Sequence, residues 1–282
     1  MTGLHLPFRF YGILRFQLMI AWLCFHFSVL GMESAVYAQE TPPITSSGLN
    51  TVVTTTGNIH DITGGTRPGG ESGTNLFHSF GEFGVPPNNI ANFLNGVSFD
   101  LNGNQLAAGL PTSNILARVT GNIRSDIFGT IQTTGFENAN LFLINPAGFL
   151  FGPNAMMNVG GVVSFTSADY LRLADNVIFN VTPNATIDAL LTPSPVAAFG
   201  FLGSNPFLTI TVQGSQFTVT EGTGISLVGG DITIEPGTPD DGTAQPAQFV
   251  YPGGQINLAS ITSAGEVSAF DFMPTSGMTM GN

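Results

Sequence analysis

The chain has 282 residues, of which 43% are apolar and only 9% are charged. This length and apolar content suffice for a long core in one or two domains. There is no lysine, and six arginines stand against 18 acidic residues, which gives a formal net charge of −12. Nucleic-acid binding is excluded, because a protein that neutralises phosphates needs a basic surface.

The composition favours strands over helices. Glycine (36 residues) and phenylalanine (24) are abundant, whereas a helical protein is richer in lysine, glutamate, alanine and leucine. The single cysteine, Cys24, lies in the apolar N-terminal run, so the rest of the chain forms neither a disulfide nor a thiolate metal site. We therefore expect an all-β protein stabilised by packing and backbone hydrogen bonds.

Residues 1–38 have the layout of a secretory signal peptide. Arg9 and Arg15 precede an uncharged run over residues 16–32, and Val36-Tyr37-Ala38 supplies the small residues that signal peptidase requires. A retained membrane anchor is the alternative, but a run of this length is short for a spanning helix. We predict cleavage after Ala38, so that the mature protein begins at Gln39 outside the cytoplasm.

Residues 39–114 are predicted to form an N-terminal cap and the first coils of a solenoid. The segment from Ile44 to Asn75 is rich in threonine, glycine and polar turns, with brief strand candidates at residues 52–53 and 59–62. The first coil of a stacked-strand rod has an open edge that would recruit other chains, so a segment must cover it. A strand is expected to follow over residues 75–83.

Residues 115–282 are predicted to be the parallel β-helix itself, with about 20 residues per coil. The pattern is sharpest over residues 138–166, where short apolar runs alternate with turns at a period too short for helices. The runs are Leu141–Ile144, Phe149–Phe151 and Val162–Phe165. Residues 168–190 are expected to form either a short helix or an excursion from the coil, because Ala168 to Leu173 has a local helical character.

Two motifs in this stretch resemble a known family. The first is Asn145-Pro146-Ala147-Gly148-Phe149, set inside Leu-Phe-Leu-Ile-x₅-Leu-Phe-Gly, and the second is Asn158-Val159-Gly160-Gly161. Together they resemble the filamentous-haemagglutinin-like N-terminal domain, the secretion domain of exoproteins exported by two-partner secretion (TPS). Ala147 and Phe149 replace the family's Asn and Ile. The family's earlier Asn-Pro-Asn-Leu box is absent, and its nearest candidate is residues 102–106.

The resemblance implies a right-handed parallel β-helix with an N-terminal cap and extra-helical β elements. It further implies recognition by an outer-membrane transporter of the Omp85 type with periplasmic POTRA domains, and export to the cell surface as part of an adhesin-like exoprotein. A carbohydrate or protein target at the surface would follow from that role. Catalysis, cofactors and metals are not implied. The residues carried over as a partner-recognition or structural motif are Asn145, Pro146, Ala147, Gly148, Phe149, Asn158, Gly160 and Gly161.

Two other functions stay open at this point. β-Helices include polysaccharide lyases and glycosidases, whose sites need carboxylates that converge on one face. The one adjacent acidic pair, Asp240-Asp241, sits in a turn sequence, and Asp100, Asp126, Asp169, Asp175 and Asp231 are scattered. His60 and His78, the only histidines of the expected mature chain, are a weak basis for a zinc site. A structural surface protein without a dedicated transporter is the other alternative.

Asn145 has two interpretations from sequence. It is either a buried residue that fixes a turn or a side chain that contacts the partner directly. On either interpretation we expect Asn145→Ala to leave the domain folded and to lower secretion. Gly148→Val is expected to cost more than about 1 kcal/mol if Gly148 has a positive φ.

Overall fold

The computed structural model describes residues 43–203, 208–218, 222–239 and 241–269. The predicted signal peptide, Cys24 and Asp240 lie outside these ranges. The first strands are β1 (Thr51–Thr56), β2 (Ile59–Gly64), β3 (Asn75–Phe80), β4 (Ile90–Leu94), β5 (Ser98–Phe99), β6 (Gln105–Leu106), β7 (Asn114–Val119), β8 (Ser125–Ile127), β9 (Thr130–Thr134), β10 (Asn140–Ile144), β11 (Phe149–Phe151) and β12 (Met156–Asn158).

The second half continues as strands around one short helix. Its elements are β13 (Val163–Thr166), β14 (Tyr170–Leu173), β15 (Ile178–Asn180), α1 (Ala185–Asp188), β16 (Val196–Phe201), β17 (Ile210–Gln213), β18 (Gln216–Thr218), β19 (Gly224–Gly229), β20 (Ile232–Glu235), β21 (Gln248–Val250), β22 (Gln255–Ser260) and β23 (Gly265–Ser268). A 3-10 turn spans Gly70–Ser72. Within the described ranges, no helix is long and apolar enough to cross a membrane.

Three sheets form the faces of a parallel β-helix. The central face contains β3, β7, β10, β13, β19 and β22, all parallel; the second face contains β8, β11, β17 and β20; the third contains β2, β4, β9 and β12, with β1 antiparallel at its edge. The chain visits the faces in that order. Residues 140–166 make one complete coil, from β10 through β11 and β12 to β13, as the alternation of apolar runs and turns predicted.

The coils are longer than the 20 residues expected from sequence. Asn75 and Asn114 occupy matching positions 39 residues apart, and Asn114 and Asn140 do so 26 residues apart. The difference arises because segments outside the three faces interrupt the coils. One is the small antiparallel pair β5–β6, which lies between β4 and β7. The coil that contains the predicted motifs is close to the expected length.

The central face is buried on both of its surfaces along β3, β7, β10, β13 and β19, whereas its last strand, β22, is partly exposed. Inside the coil, phenylalanine rings pack edge to face, with the ring centroids of Phe151 and Phe165 4.7 Å apart. Outside, a second apolar cluster joins residues such as Phe77 and Phe142 to Phe179 and Phe199 of an antiparallel sheet formed by β15, β14, β16 and β23. Burying each such side chain contributes about 1.5–3 kcal/mol. This outer sheet is the extra-helical β element that the family resemblance implies.

The segment with local helical character is a strand. Tyr170–Leu173 pairs antiparallel with β15 and β16, because Leu171 and Leu173 then bury against the central face. The helix α1 is a single turn, capped by Asn184, whose side chain accepts from the backbone N–H groups of Thr186 and Ile187. Of the two alternatives for residues 168–190, the structure therefore adopts the excursion, with a minimal helix inside it.

The N-terminal segment covers the open edge of the first coil. Ser47 N donates to Ser79 O at 2.8 Å, and Thr66 exchanges two backbone hydrogen bonds of 2.9 Å with Phe77. These bonds occupy the free side of β3, where unpaired donors and acceptors would otherwise recruit another strand. The β1–β2 hairpin extends the third face beside them. The predicted boundary at residue 114, between the cap with the first coils and the rest of the β-helix, stays a prediction.

A ladder of asparagine amides runs across the central face. The Nδ2 of Asn114 donates to the Oδ1 of Asn75 at 2.9 Å, and the Nδ2 of Asn140 donates to the Oδ1 of Asn114 at 3.1 Å. The ladder ends at Val162 N, which donates to Asn140 Oδ1, and at the carbonyls of Thr192 and Ser194, which accept from Asn75. Buried amides therefore find partners in the neighbouring coils, as burial requires.

His78 is a neutral histidine inside the first coil. Its ring packs against Phe80 and Phe93, and its Nδ1 lies 3.3 Å from Thr51 Oγ1. Burial, with a smaller contribution from Arg67, lowers the pKa of His78 to about 3. The imidazole of His78 therefore stays unprotonated in the folded protein at pH values below 6.5, where the same side chain in the unfolded chain binds a proton.

This difference predicts acid sensitivity of the first coil. The contribution of His78 is fully present above pH 6.5 and is lost as the pH falls from 6.5 towards 3, because protons bind preferentially to the unfolded chain. Between pH 7 and 5 we expect the free energy of unfolding in urea to fall by about 2 kcal/mol through this group. His78→Gln should remove that pH dependence, whereas His60→Gln should leave it in place; equal slopes for His78→Gln and wild type would contradict the assignment.

Candidate functional site

The first motif forms the corner between β10 and β11. Asn145 is completely buried, and its Nδ2 donates to Ile123 O and Ser125 Oγ, both at 2.9 Å, while its Oδ1 accepts from Ala147 N at 2.9 Å. Its backbone N donates to Thr166 O at 2.9 Å. Ile123 and Ser125 belong to the preceding coil and Thr166 to the following one. One residue therefore links three successive coils and closes its own turn.

Gly148 completes this corner. Its N donates to Asn145 O at 2.9 Å, and its φ is 86°, a conformation that favours glycine. A Cβ atom at this position would clash with the carbonyl oxygen of Thr209, which accepts from Phe149 N at 3.2 Å. Gly148 is thus required both for the turn and for the close approach of the next coil.

The remaining residues of the first motif divide between core and surface. Phe149 is fully buried, with its ring centroid 5.4 Å from that of Phe165. Ala147 is 8% exposed, and Pro146 is half-buried. A partner that touches this corner therefore meets Pro146 and the edge of Ala147. Asn145 is out of its reach, which supports the turn-fixing interpretation of that residue.

The second motif lies at a different corner of the same coil. Asn158 is exposed on β12, opposite Gln132 of β9. Gly160 and Gly161 follow it, where a Cβ would clash with the carbonyl oxygens of Glu137 and Ala139. Their role is close packing of one coil on another. The structure does not bring the two motifs together into one site, because one lies between the central and second faces and the other between the third and central faces.

A groove of about 370 Å³ opens beside the first motif. One wall is the coil corner, with Pro146, Ala147 and the loop after β7, and the other wall belongs to the excursion. The groove residues on this side are Asp169, Asn180, Val181, Thr182 and Pro183 of the excursion and Leu202, which follows β16. None of them is predicted as a site residue by the sequence, because their position depends on how the excursion folds back over the central face.

Arg118 holds the excursion wall in place. It lies on β7, is 1% exposed, and makes a bidentate ion pair with Asp188 of α1, with N–O distances of 2.8 and 2.7 Å. Its Nη1 also donates to Asn180 O at 2.9 Å, and its guanidinium lies 5.1 Å from the ring centroid of Phe179. The charge is thereby paired on the outer surface of the central face, and no local sequence pattern indicates the pairing.

Asp126, Asp241 and both described histidines make local structural contacts. Asp126 pairs with Arg124 at 2.6 Å, and hydrogen bonds from Thr243 lower the pKa of Asp241 in its turn. His60 contacts Thr55 and Asn89, away from the buried His78. In the part of the chain that the structure describes, no three histidine, cysteine, aspartate or glutamate side chains group closely enough to hold a metal ion.

Comparison with known families accounts for the motifs. The family model described as the TPS secretion domain matches residues 36–275, which include both motifs and the excursion. The chain belongs to the family of TPS secretion domains. Among solved structures, this TPS domain is similar to the HMW1 secretion domain from Haemophilus influenzae, with 18% identity and a TM-score of 0.43 over 67% of this chain and 39% of that one.

A second similar structure is the filamentous hemagglutinin secretion domain, with 17% identity and a TM-score of 0.48 over 83% of this chain and 68% of that one. The TPS domain described here thus spans 39% and 68% of the lengths of these two structures. No curated protein sequence matches the chain.

The geometry of Gly148 gives a direct prediction. Gly103 and Gly148 both have positive φ, but a Cβ at Gly103 meets nothing within 4 Å. Gly103→Ala should therefore cost about 1 kcal/mol from backbone strain alone. Gly148→Ala should cost about 3 kcal/mol in urea unfolding, because the overlap with Thr209 O adds to the strain. Equal losses for the two variants would contradict a tight coil contact at Gly148.

Proposed function

We propose that this TPS domain is the secretion module of an adhesin-like exoprotein, recognised in the periplasm by an outer-membrane transporter of the Omp85 type through its POTRA domains. Export to the cell surface is the outcome of that recognition. The observation that carries the proposal is the family match over residues 36–275, which spans nearly all of the expected mature chain. A surface target, carbohydrate or protein, would be bound by the exoprotein after export.

The proposed route begins with a signal peptide over residues 1–38. The charge and hydropathy of this segment support it, and so does the start of the family match at residue 36, beside the expected cleavage site. We expect exported protein to begin at Gln39, as measured by mass spectrometry of the intact chain. An exported chain that still carries residues 1–38 would contradict this route and favour a retained anchor.

The first motif is proposed to act in recognition through the shape of its corner. Asn145 is buried and ties three coils together, so it sets where Pro146 and the flanking loops lie. The second motif, with Asn158, Gly160 and Gly161, is proposed to keep the register of the same coil. Recognition of a preformed corner agrees with the small backbone changes typical of preorganised interfaces.

Asn145→Ala tests this role. Its removal leaves Ile123 O and Ala147 N without their partner, so we expect a loss of stability of about 1–3 kcal/mol. Asn114→Ala is the matched control, because Asn114 is also a buried asparagine of the central face with two amide hydrogen bonds. We expect Asn145→Ala to lower secretion through the cognate transporter more than Asn114→Ala does.

Both variants should be compared at temperatures where each is equally folded by circular dichroism. Equal secretion of the two variants under these conditions would mean that only stability matters and that the corner is not read. Normal secretion of every variant without any outer-membrane transporter would favour the alternative of a structural surface protein instead.

The enzyme alternative receives no support from the described residues. A lyase or glycosidase site needs two or three converging carboxylates, whereas Asp126 and Asp188 are paired with arginines and Asp241 fixes a turn. The family is defined by secretion rather than by a reaction. We therefore propose no catalytic residue.

A further inference from the structure

Two of the three faces have a covered strand edge at the N-terminal end of the β-helix. On the central face, residues 45–47 and Thr66 bond to the free side of β3. On the second face, Val85 bridges to Ile127 of β8, and the two residues after Val85 are prolines, which have no N–H to donate. These two faces are thereby closed to a further strand.

The third face ends in β1, whose outer edge is open. In the described part of the chain, the backbone of residues 52–56 forms hydrogen bonds only with β2. β1 also lacks the features that normally block an edge, because its six residues include no charge and no proline and its register with β2 is unbroken. Four of its side chains are exposed. An edge of this kind is a template for another strand.

Two residues supply the free hydrogen-bonding groups of this edge. The turn between β1 and β2 has two residues, so the strand residues beside it form a hydrogen-bonded pair and the bonding alternates along β1. Thr54 therefore bonds to β2, whereas Val53 and Thr55 direct their N–H and C=O groups to the open side. Thr51 N also faces away from β2, but it donates to Gly48 O at 3.1 Å. Val53 and Thr55 thus present two donors and two acceptors, placed symmetrically about Thr54.

We propose that β1 pairs antiparallel with β1 of a second copy of this chain, about a two-fold axis at Thr54. In this register, Val53 of each copy exchanges two hydrogen bonds with Thr55 of the other, so every free donor and acceptor of the two residues is used. Thr54 lies opposite Thr54 of the second copy, in a pair without hydrogen bonds. An axis at Val53 would place Thr55 opposite Thr51, whose N–H is already used by Gly48. The two-fold axis makes the assembly a closed dimer.

The charge and side chains of the edge fit a second copy. Residues 41–60 contain no lysine, arginine, aspartate or glutamate, so two copies bring no like charges together here although the whole chain has a formal net charge of −12. The exposed Val52 packs against Thr56 of the second copy on the outer surface. One strand pair is a small interface, so we expect a weak dimer that forms at high local concentration. The pairing needs no transporter and is independent of the proposed function.

The C-terminal end of the β-helix is a different kind of edge. There β20 and β22 are the last strands of the second and central faces. Ile256 and Leu258 of β22 continue the columns of Ile225 and Leu227 but are 42% and 46% exposed, so a single added strand would cover only one face and leave the core open. Beside β1 the core is closed, since Ile62 of β2 is fully buried. The β1 edge therefore lacks only a strand.

Single cysteines test the pairing and its register. Cys24 lies in the predicted signal peptide and is the only cysteine, so each variant of the mature domain carries one thiol. Thr54→Cys should form a disulfide-linked dimer under mild oxidation, because opposite residues of a pair without hydrogen bonds have Cα atoms about 4.5 Å apart, which a disulfide spans. Val52→Cys and Thr56→Cys are the matched controls. Each should stay monomeric alone on non-reducing electrophoresis, whereas a mixture of the two should give a cross-linked heterodimer.

Sedimentation of the cysteine-free mature domain tests the same contact without a cross-link. A concentration series should show a reversible monomer–dimer equilibrium. Thr54→Lys should weaken dimerisation about tenfold or more, because each edge then meets a like charge. Thr233→Lys is the matched control, since Thr233 is an exposed threonine on β20, the edge strand at the other end; it should dimerise like wild type. Circular dichroism checks that both variants are folded.

Four outcomes would overturn the proposal. The first is a wild-type domain that stays monomeric while Thr54→Cys gives no cross-link. The second is equal cross-linking of Thr54→Cys, Val52→Cys and Thr56→Cys alone, which would mean random collision. The third is a dimer weakened by Thr233→Lys and not by Thr54→Lys, which would place the contact at the C-terminal end. The fourth is a monomer whose secretion is lost in Thr54→Lys, which would assign the β1 edge to a strand of the transporter instead.

Discussion

The fold depends on burying a parallel sheet on both of its surfaces. The central face packs against the coil interior on one side and against the extra-helical sheet on the other, which explains its near-continuous apolar strands. Polar groups that are buried on these strands cannot reach water, so they must find partners within the protein. This requirement is met in three places: the asparagine ladder, the ion pair of the buried Arg118 and the hydrogen bonds of Asn145 at its corner.

This requirement explains why the family motif is largely internal. Asn145 and Phe149 are fully buried and Gly148 is enclosed by the next coil, so the motif specifies the position of a corner rather than a set of exposed contacts. The surface that results is composed of residues from three distant segments, around 120, 146 and 180. A short sequence box and a broad contact surface are therefore two consequences of one turn.

Much of the coil was predictable because its strands and turns are local. The predicted runs at 141–144, 149–151 and 162–165 and the glycine turn at Gly148 follow from apolar patterning and backbone chemistry. The helical character at residues 168–173 was misleading, since pairing with β16 and burial of Leu171 outweigh local preference. The coil length, the choice between the two interpretations of Asn145 and the groove were not predictable, because each depends on contacts between residues far apart in the chain.

The Arg118–Asp188 pair joins residues 70 apart, and Asn75 is bonded to carbonyls 117 and 119 residues further on. In a chain that folds progressively from its N-terminus, the first coils therefore assemble with the outer surface of their central face still uncovered. The apolar side chains on that surface remain exposed to solvent, and Arg118 remains solvated. This lasts until the chain up to residue 201 is available to pack against the central face. Contacts formed this late between residues so far apart slow the final folding step. The first coils therefore reach their native packing only after residues 168–201 have folded onto the central face.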